Sequence, residues 1–172
     1  MSFAGAALSL LQKYAGGQSA AGADVQQDFE KVASTASSDH VAGGLAEAFK
    51  SDQTPPFAEM VAKLFSQSNG EQRAGLINQL LSSSGGGGIS SLLSGGIAGQ
   101  LTNLLGGGNQ ISPEAASQVS PEEVKKLAET AHQNNPSIID TVSSFYSQHP
   151  GLVKALGAGA LALVMARMHE KL

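Results

Sequence analysis

The sequence predicts an all-α protein, on three observations. Apolar residues recur three and four positions apart through most of the chain, the spacing that gathers them on one face of a helix. The apolar/polar alternation of a half-buried strand is absent. Ser, Thr or Asn, followed closely by proline or by a glutamate three residues on, heads several of the periodic segments, as at helix starts.

The elements follow in order. Phe3, Ala7, Leu10, Leu11 and Tyr14 predict a first helix, ended by Gly16-Gly17. A second starts near Asp24 with Val25, Phe29, Val32 and Ala36 on one stripe. Asp39 or Ser38 can cap a third, which carries Val41, Leu45, Ala48 and Phe49. Thr54-Pro55 reads as an N-cap followed by proline at the first helical position, where its missing N–H is not needed. Phe57, Met60, Val61, Leu64 and Phe65 then form the clearest amphipathic stripe of the chain. Asn69 can cap a fifth helix that buries Leu76, Ile77, Leu80 and Leu81.

From residue 84 to 110 the composition turns to Gly, Ser and Leu, with Gly85 to Gly88 at one end and Gly106 to Gly108 at the other. A flexible linker is one reading. Ile89, Leu92, Leu93, Ile97, Leu101, Leu104 and Leu105 keep a near-helical period, and favour a short apolar helix between glycine hinges. Helix-start signals then appear twice, as Ser112-Pro113-Glu114 and Ser120-Pro121-Glu122-Glu123, the latter a capping box. The second of these helices buries Val124, Leu127, Ala128 and Ala131. Asn135-Pro136 ends it and begins another with Ile138, Val142, Phe145 and Tyr146, and Pro150-Gly151 opens a terminal helix running to Leu172.

An internal repeat organises these elements. Pro55 to Gln67 aligns without gaps on Pro136 to Gln148 at an offset of 81 residues, with Leu45-Ala46-Glu47 on Leu127-Ala128-Glu129 just upstream and Gly70 and Arg73 on Gly151 and Lys154 downstream. The expected organisation is an N-terminal helical lobe over 1–83, a connector over 84–110 and a C-terminal lobe over 111–172, with repeat units about 39–83 and 120–166 as pseudo-equivalent three-helix lobes.

Composition narrows the function. A chain of 172 residues can bury a real core, but with 5% aromatic residues and no tryptophan that core is built from Leu, Ile, Val and Ala. Charged residues make up 14%, against about 25% in an ordinary domain, so copies of this surface repel one another weakly. The net charge of −4 and the scatter of the basic residues argue against a nucleic-acid partner, which needs a basic stripe. With no cysteine, disulfides and thiolate metal sites are excluded. The N-terminal apolar run lacks a basic flank, a poor secretory signal, so a cytoplasmic location is expected, with a peripheral membrane association as the alternative.

Catalytic patterns are not found. His40, His132, His149 and His169 form no pair four residues apart, which leaves solvated or capping roles. Gly85 to Gly88 lack the lysine of a phosphate-binding loop, and no serine stands in a nucleophile elbow. Asp140 falls on Glu59 in the repeat, which suggests a shared solvated or capping position. Neither a cofactor nor a metal is implied.

The terminal segment is the unusual one. Ala155 to Ala166 carries no polar side chain on any face. A helix apolar all round must be covered all round, by its own protein, by another copy or by lipid. At about 1.5 Å per residue it spans roughly 18 Å, short against a bilayer core of about 30 Å. Small residues recur four apart in Ala158-Ala162-Ala166, Ala155-Gly159 and Gly95-Gly99, ridges that let helices approach closely. Leu92, Gly95, Gly99, Leu101, Ala155, Ala158, Gly159, Ala162 and Ala166 are therefore the candidate self-association or lipid-contact residues.

The Gly/Leu/Ser-rich segment followed by Ile111-Ser112-Pro113-Glu114 and Val119-Ser120-Pro121-Glu122-Glu123-Val124 resembles the bacterial YidB-like proteins, small helical proteins of unknown function, over roughly residues 84 to 145. The resemblance implies a bacterial source and supplies no catalytic residues. The function expected is that of a non-enzymatic structural or interaction protein that forms homo-oligomers through apolar helices. A membrane-associated or lipid-binding helical protein is the alternative.

Overall fold

The structure is a computed structural model and describes residues 3–15, 24–83 and 110–170. It is all-α over those residues: α1 (Phe3–Tyr14), α2 (Val25–Thr35), α3 (Ser38–Lys50), α4 (Phe57–Gln67), α5 (Gly70–Ser83), α6 (Pro113–Ala116), α7 (Pro121–Asn134), α8 (Ile138–Ser147), α9 (Pro150–Val153), a 3₁₀ turn (Lys154–Leu156) and α10 (Ala158–Glu170). Leu92, Gly95, Gly99 and Leu101, with the short apolar helix expected around them, lie outside the described residues.

Local capping chemistry sets several helix starts. Ser120 and Glu123 form the capping box: the Glu123 N–H donates to Ser120 Oγ at 3.4 Å, and the Ser120 N–H donates to Glu123 Oε2 at 2.7 Å. Asn69 and Gln72 exchange the same two bonds ahead of α5, at 2.9 and 3.0 Å. Two expected caps move. Helix α3 is capped by Ser37, one residue before the expected Ser38, with the His40 N–H donating to Ser37 Oγ. Thr54 does not cap α4, because its hydroxyl turns back to the carbonyls of Ala48 and Ser51 and closes the end of α3 instead.

Contacts divide the chain into two units that do not follow chain order. Unit 1 is Met1–Pro56 with Ser143–Leu172, and unit 2 is Phe57–Val142. The division therefore falls before α4 and inside α8, not at the 84–110 connector expected from composition. Helix α4 has its main partner, α7, far along the chain.

In unit 1, α10 packs on α3, α1 and α2, and α1 packs on α2. Leu11, Tyr14, Phe29, Val32, Leu45 and Phe49 supply the large side chains of this core, joined by Leu161, Val164, Met165 and Met168 from α10. A buried polar bond crosses it: Tyr14 Oη donates to Asp28 Oδ2 at 2.9 Å. In unit 2, α4 packs on α7, and α5 packs on α6 and α7. Phe57, Met60, Val61, Leu64 and Phe65 are all buried, as the stripe predicts. Helices α4 and α8 start at Phe57 and Ile138, 81 residues apart, the offset of the aligned stretches. On α8 the buried face is Ile138, Ile139, Val142, Ser143 and Tyr146, while Phe145, expected inside, is half-buried with its ring edge-on to Tyr146 and His149.

The chain leaves α5 at Ser83, and by Ile111 it is back on the same helix, where the Ile111 N–H donates to Asn78 Oδ1 at 2.8 Å and Asn78 Nδ2 donates to the Ile111 carbonyl at 3.4 Å. The amide of Asn78 thus satisfies both backbone groups of a buried residue. Both flanks of the stretch, α5 and α6, belong to unit 2.

Candidate interaction face

The terminal apolar run is not one helix. Pro150–Val153 forms a single α-helical turn, Lys154–Leu156 a 3₁₀ turn, and Gly157 then takes φ 91° and ψ 166°, a conformation open essentially to glycine alone. Helix α10 starts afresh beyond it, with the Leu161 N–H donating to the Gly157 carbonyl at 3.0 Å. The Lys154 ammonium pairs with the Glu30 carboxylate on α2, and Val153 and Leu156 are buried, so the chain before the break is fastened to the unit.

Helix α10 is fully buried along one side and only partly covered along the other, short of the expectation that it is covered all round. Ala160, Leu161, Val164, Met165 and Met168 point inward. The opposite face keeps Ala158 and Gly159 exposed and Ala162, Leu163 and Ala166 half-buried. A methyl group built on Gly159 would meet nothing within 4 Å. Of the predicted residues, Ala158, Gly159, Ala162 and Ala166 share this less buried side of α10, whereas Ala155 stands before the Gly157 break, in the 3₁₀ turn. At the far end of α10, Arg167 Nη1 donates to both carboxylate oxygens of Glu170 at 2.8 and 3.1 Å, and this bond, followed by the charge of Glu170, raises the guanidinium pKa.

Close helix approach does occur in unit 1, but through a residue the sequence reading passed over. Gly44 on α3 faces α10 so tightly that a Cβ there would lie 2.7 Å from the Val164 carbonyl oxygen and 2.6 Å from Met168 Cγ. A glycine in the middle of a helical stripe, flanked by Val41, Leu45 and Ala48, is the signal that could have revealed it. The small residue needed for the α3–α10 contact is therefore supplied by α3. The small-residue ridge of α10 is left unused within the unit.

The remaining candidates fall into ordinary roles. Glu59 is exposed and pairs with Lys125 at 3.1 Å, which raises the lysine pKa through the hydrogen bond first and the charge second. Asp140 is exposed. His40 Nδ1 lies 2.7 Å from the Ser37 hydroxyl at the start of α3, and His132 sits edge-on to Phe57. Tyr14 is pushed up to about 12, mainly by burial, then by its hydrogen bond to Asp28 and by that group's charge. Among the described residues no three His, Asp or Glu converge as a metal site, and no helix is long and apolar enough to cross a membrane. No family model matches this chain, and neither a curated protein nor a solved structure matches it.

Proposed function

We propose that this is a non-enzymatic structural or interaction protein that self-associates through its apolar, small-residue-rich helices, with the open face of α10 as the contact. One observation carries the reading: Ala158, Gly159, Ala162 and Ala166 line the side of α10 that is not buried against the unit's own helices, while α10 meets α3 through Gly44 on its other side. Small side chains let a second helix come near enough for backbone-level van der Waals contact, and the low charge density of the chain does little to oppose it.

The test is the solution mass by light scattering coupled to size exclusion, for the intact chain and for Ala162→Glu. The intact chain is expected at a multiple of 17.4 kDa, and the variant, folded by circular dichroism, at 17.4 kDa. A folded variant with unchanged multiple mass would refute the contact; a monomeric parent would refute the self-association itself. The alternative, contact with a bilayer or acyl chain, draws on the same open face and on exposed Leu8 of α1. Flotation with liposomes that survives Ala162→Glu and Leu8→Glu together would remove it.

A further inference from the structure

The backbone from Pro150 to Glu170 is helical or 3₁₀ on both sides of a single interruption. Val153 (φ −59°, ψ −28°) and Lys154 (φ −57°, ψ −26°) already have helical angles, and Gly157 is the one residue with positive φ among the described residues. Gly157 is therefore the principal break between the bent arrangement and a continuous helix over 150–170. Up to the break the chain is held on α2 by the Lys154–Glu30 ion pair and by buried Val153 and Leu156. Beyond it, α10 is held by its fit into the groove of α1, α2 and α3.

We infer that Gly157 is an exchange hinge: with helical angles at this residue, α10 leaves its own groove and fills the same groove of a second copy, which returns its own α10. In the straight form α10 continues the axis of the preceding turns, and at about 1.5 Å rise per residue Met168 lies roughly 16 Å beyond the pivot, out of its own groove. Leu161, Val164, Met165 and Met168 then need a surface of matching shape. The notch at Gly44, which admits Val164 and Met168 at distances no other residue type allows, is matched by the groove of an identical chain, and that commits the occupant to a second copy. The exchange goes beyond the proposed ridge contact, since it uses the buried face of α10 and leaves the open face free.

Because the two contacts use opposite faces, they can be tested apart, in the Ala162→Glu background where ridge assembly is removed. Adding Gly157→Ala places a Cβ at a residue whose bent conformation excludes one and which favours the helix when it has one. The double variant is expected at twice 17.4 kDa, with the tyrosine near-ultraviolet circular dichroism of folded unit 1 retained, and with at least a tenfold slower return to monomer on dilution than a surface contact shows. Inserting Gly-Ser-Gly after position 157 in the same chain restores the reach back to the home groove and is expected to return it to monomer. A folded monomeric double variant overturns the inference, and so does a dimer indifferent to the insertion. Loss of the tyrosine signal overturns it as well, because an exchanged unit keeps every α10 contact.

Discussion

Replacing Gly44 by alanine sets two effects of opposite sign against each other. Intrinsic propensity favours alanine in the interior of α3 by about 1 kcal/mol. The added methyl group, however, would lie 2.7 Å from the Val164 carbonyl oxygen, 2.6 Å from Met168 Cγ and 3.2 Å from Val164 Cγ1. Met168 can shift its side chain, but the Val164 carbonyl belongs to the α10 backbone. To bring that contact from 2.7 to an ordinary 3.4 Å, α3 and α10 must part by roughly 0.7 Å. A gap of that size forfeits about a quarter to a half of the dispersion energy along the seam, and overpacking of this kind costs about 1–3 kcal/mol. The expected net result is a loss of up to about 2 kcal/mol from unit 1.

The chain offers a clean probe of it. Both tyrosines, Tyr14 and Tyr146, are in unit 1, and there is no tryptophan, so tyrosine fluorescence in urea follows that unit alone. With an m-value of about 1–2 kcal/mol/M, a central loss of about 1 kcal/mol should lower the midpoint by about 0.5–1 M at constant slope. Gly159→Ala, where a methyl group meets open space, should instead hold or raise the midpoint. A Gly44→Ala chain more stable than its parent by the propensity difference would refute the close α3–α10 approach.

Three further outcomes follow from the same structure. Because the Tyr14 pKa is raised to about 12 in the folded chain from the ordinary 10.0, the stability tied to its protonated form is complete below pH 10 and is lost as pH rises toward 12, at about 1.4 kcal/mol per pH unit; Tyr14→Phe should flatten this alkaline slope in pH-dependent urea melts. Deleting residues 84–109 and joining Ser83 to Gln110 through three or four glycines should leave unit 2 folded, because Asn78 and the end of α5 are about 8 Å apart along the helix; loss of helical circular dichroism beyond the deleted residues would count against the Asn78–Ile111 closure, and Asn78→Ala should itself cost about 1–3 kcal/mol. Ser120→Ala removes one arm of the capping box and should lower stability by about 1 kcal/mol in thermal melts, with Ser120→Asp largely restoring it.

What the sequence disclosed and what it withheld divide along a physical line. Periodicity and capping are local, so the stripe of Phe57, Met60, Val61, Leu64 and Phe65, the Ser120–Glu123 box and the Asn69 cap could be read from neighbouring residues alone. Helix pairing is not local. The expected lobes, 1–83 and 111–172, rest on the idea that helices adjacent in sequence pack together, whereas α3 finds its large partner in α10 and α4 finds its own in α7. A glycine-rich stretch likewise reads as a boundary, because composition marks where a chain is free of packing but not whether its two ends meet. Only the amide of Asn78, set mid-helix among Ile77, Leu80 and Leu81, hinted that a helix in this unit had a backbone to hold.

The orientation of α10 was hidden for a different reason. Polarity normally tells a helix which side is inside, and between Ala158 and Ala166 there is no polarity to consult. The asymmetry is instead one of volume. Leu161, Val164, Met165 and Met168, all large and fully buried, face the unit, while Gly159, Ala158, Ala162 and Ala166 lie on the less buried side, with Leu163 the large exception at the margin. Burying a leucine or methionine side chain is worth about 1.5–3 kcal/mol and an alanine methyl much less, so a helix apolar on every side still has one orientation that its own unit strongly prefers. What that leaves outward is a surface too small-chained to matter inside and smooth enough for another helix to lie against. The features that made the segment ambiguous in sequence are thus the ones that fit it for the contact proposed, and Gly157, which lets α10 turn back into the unit at all, also decides whose groove it enters.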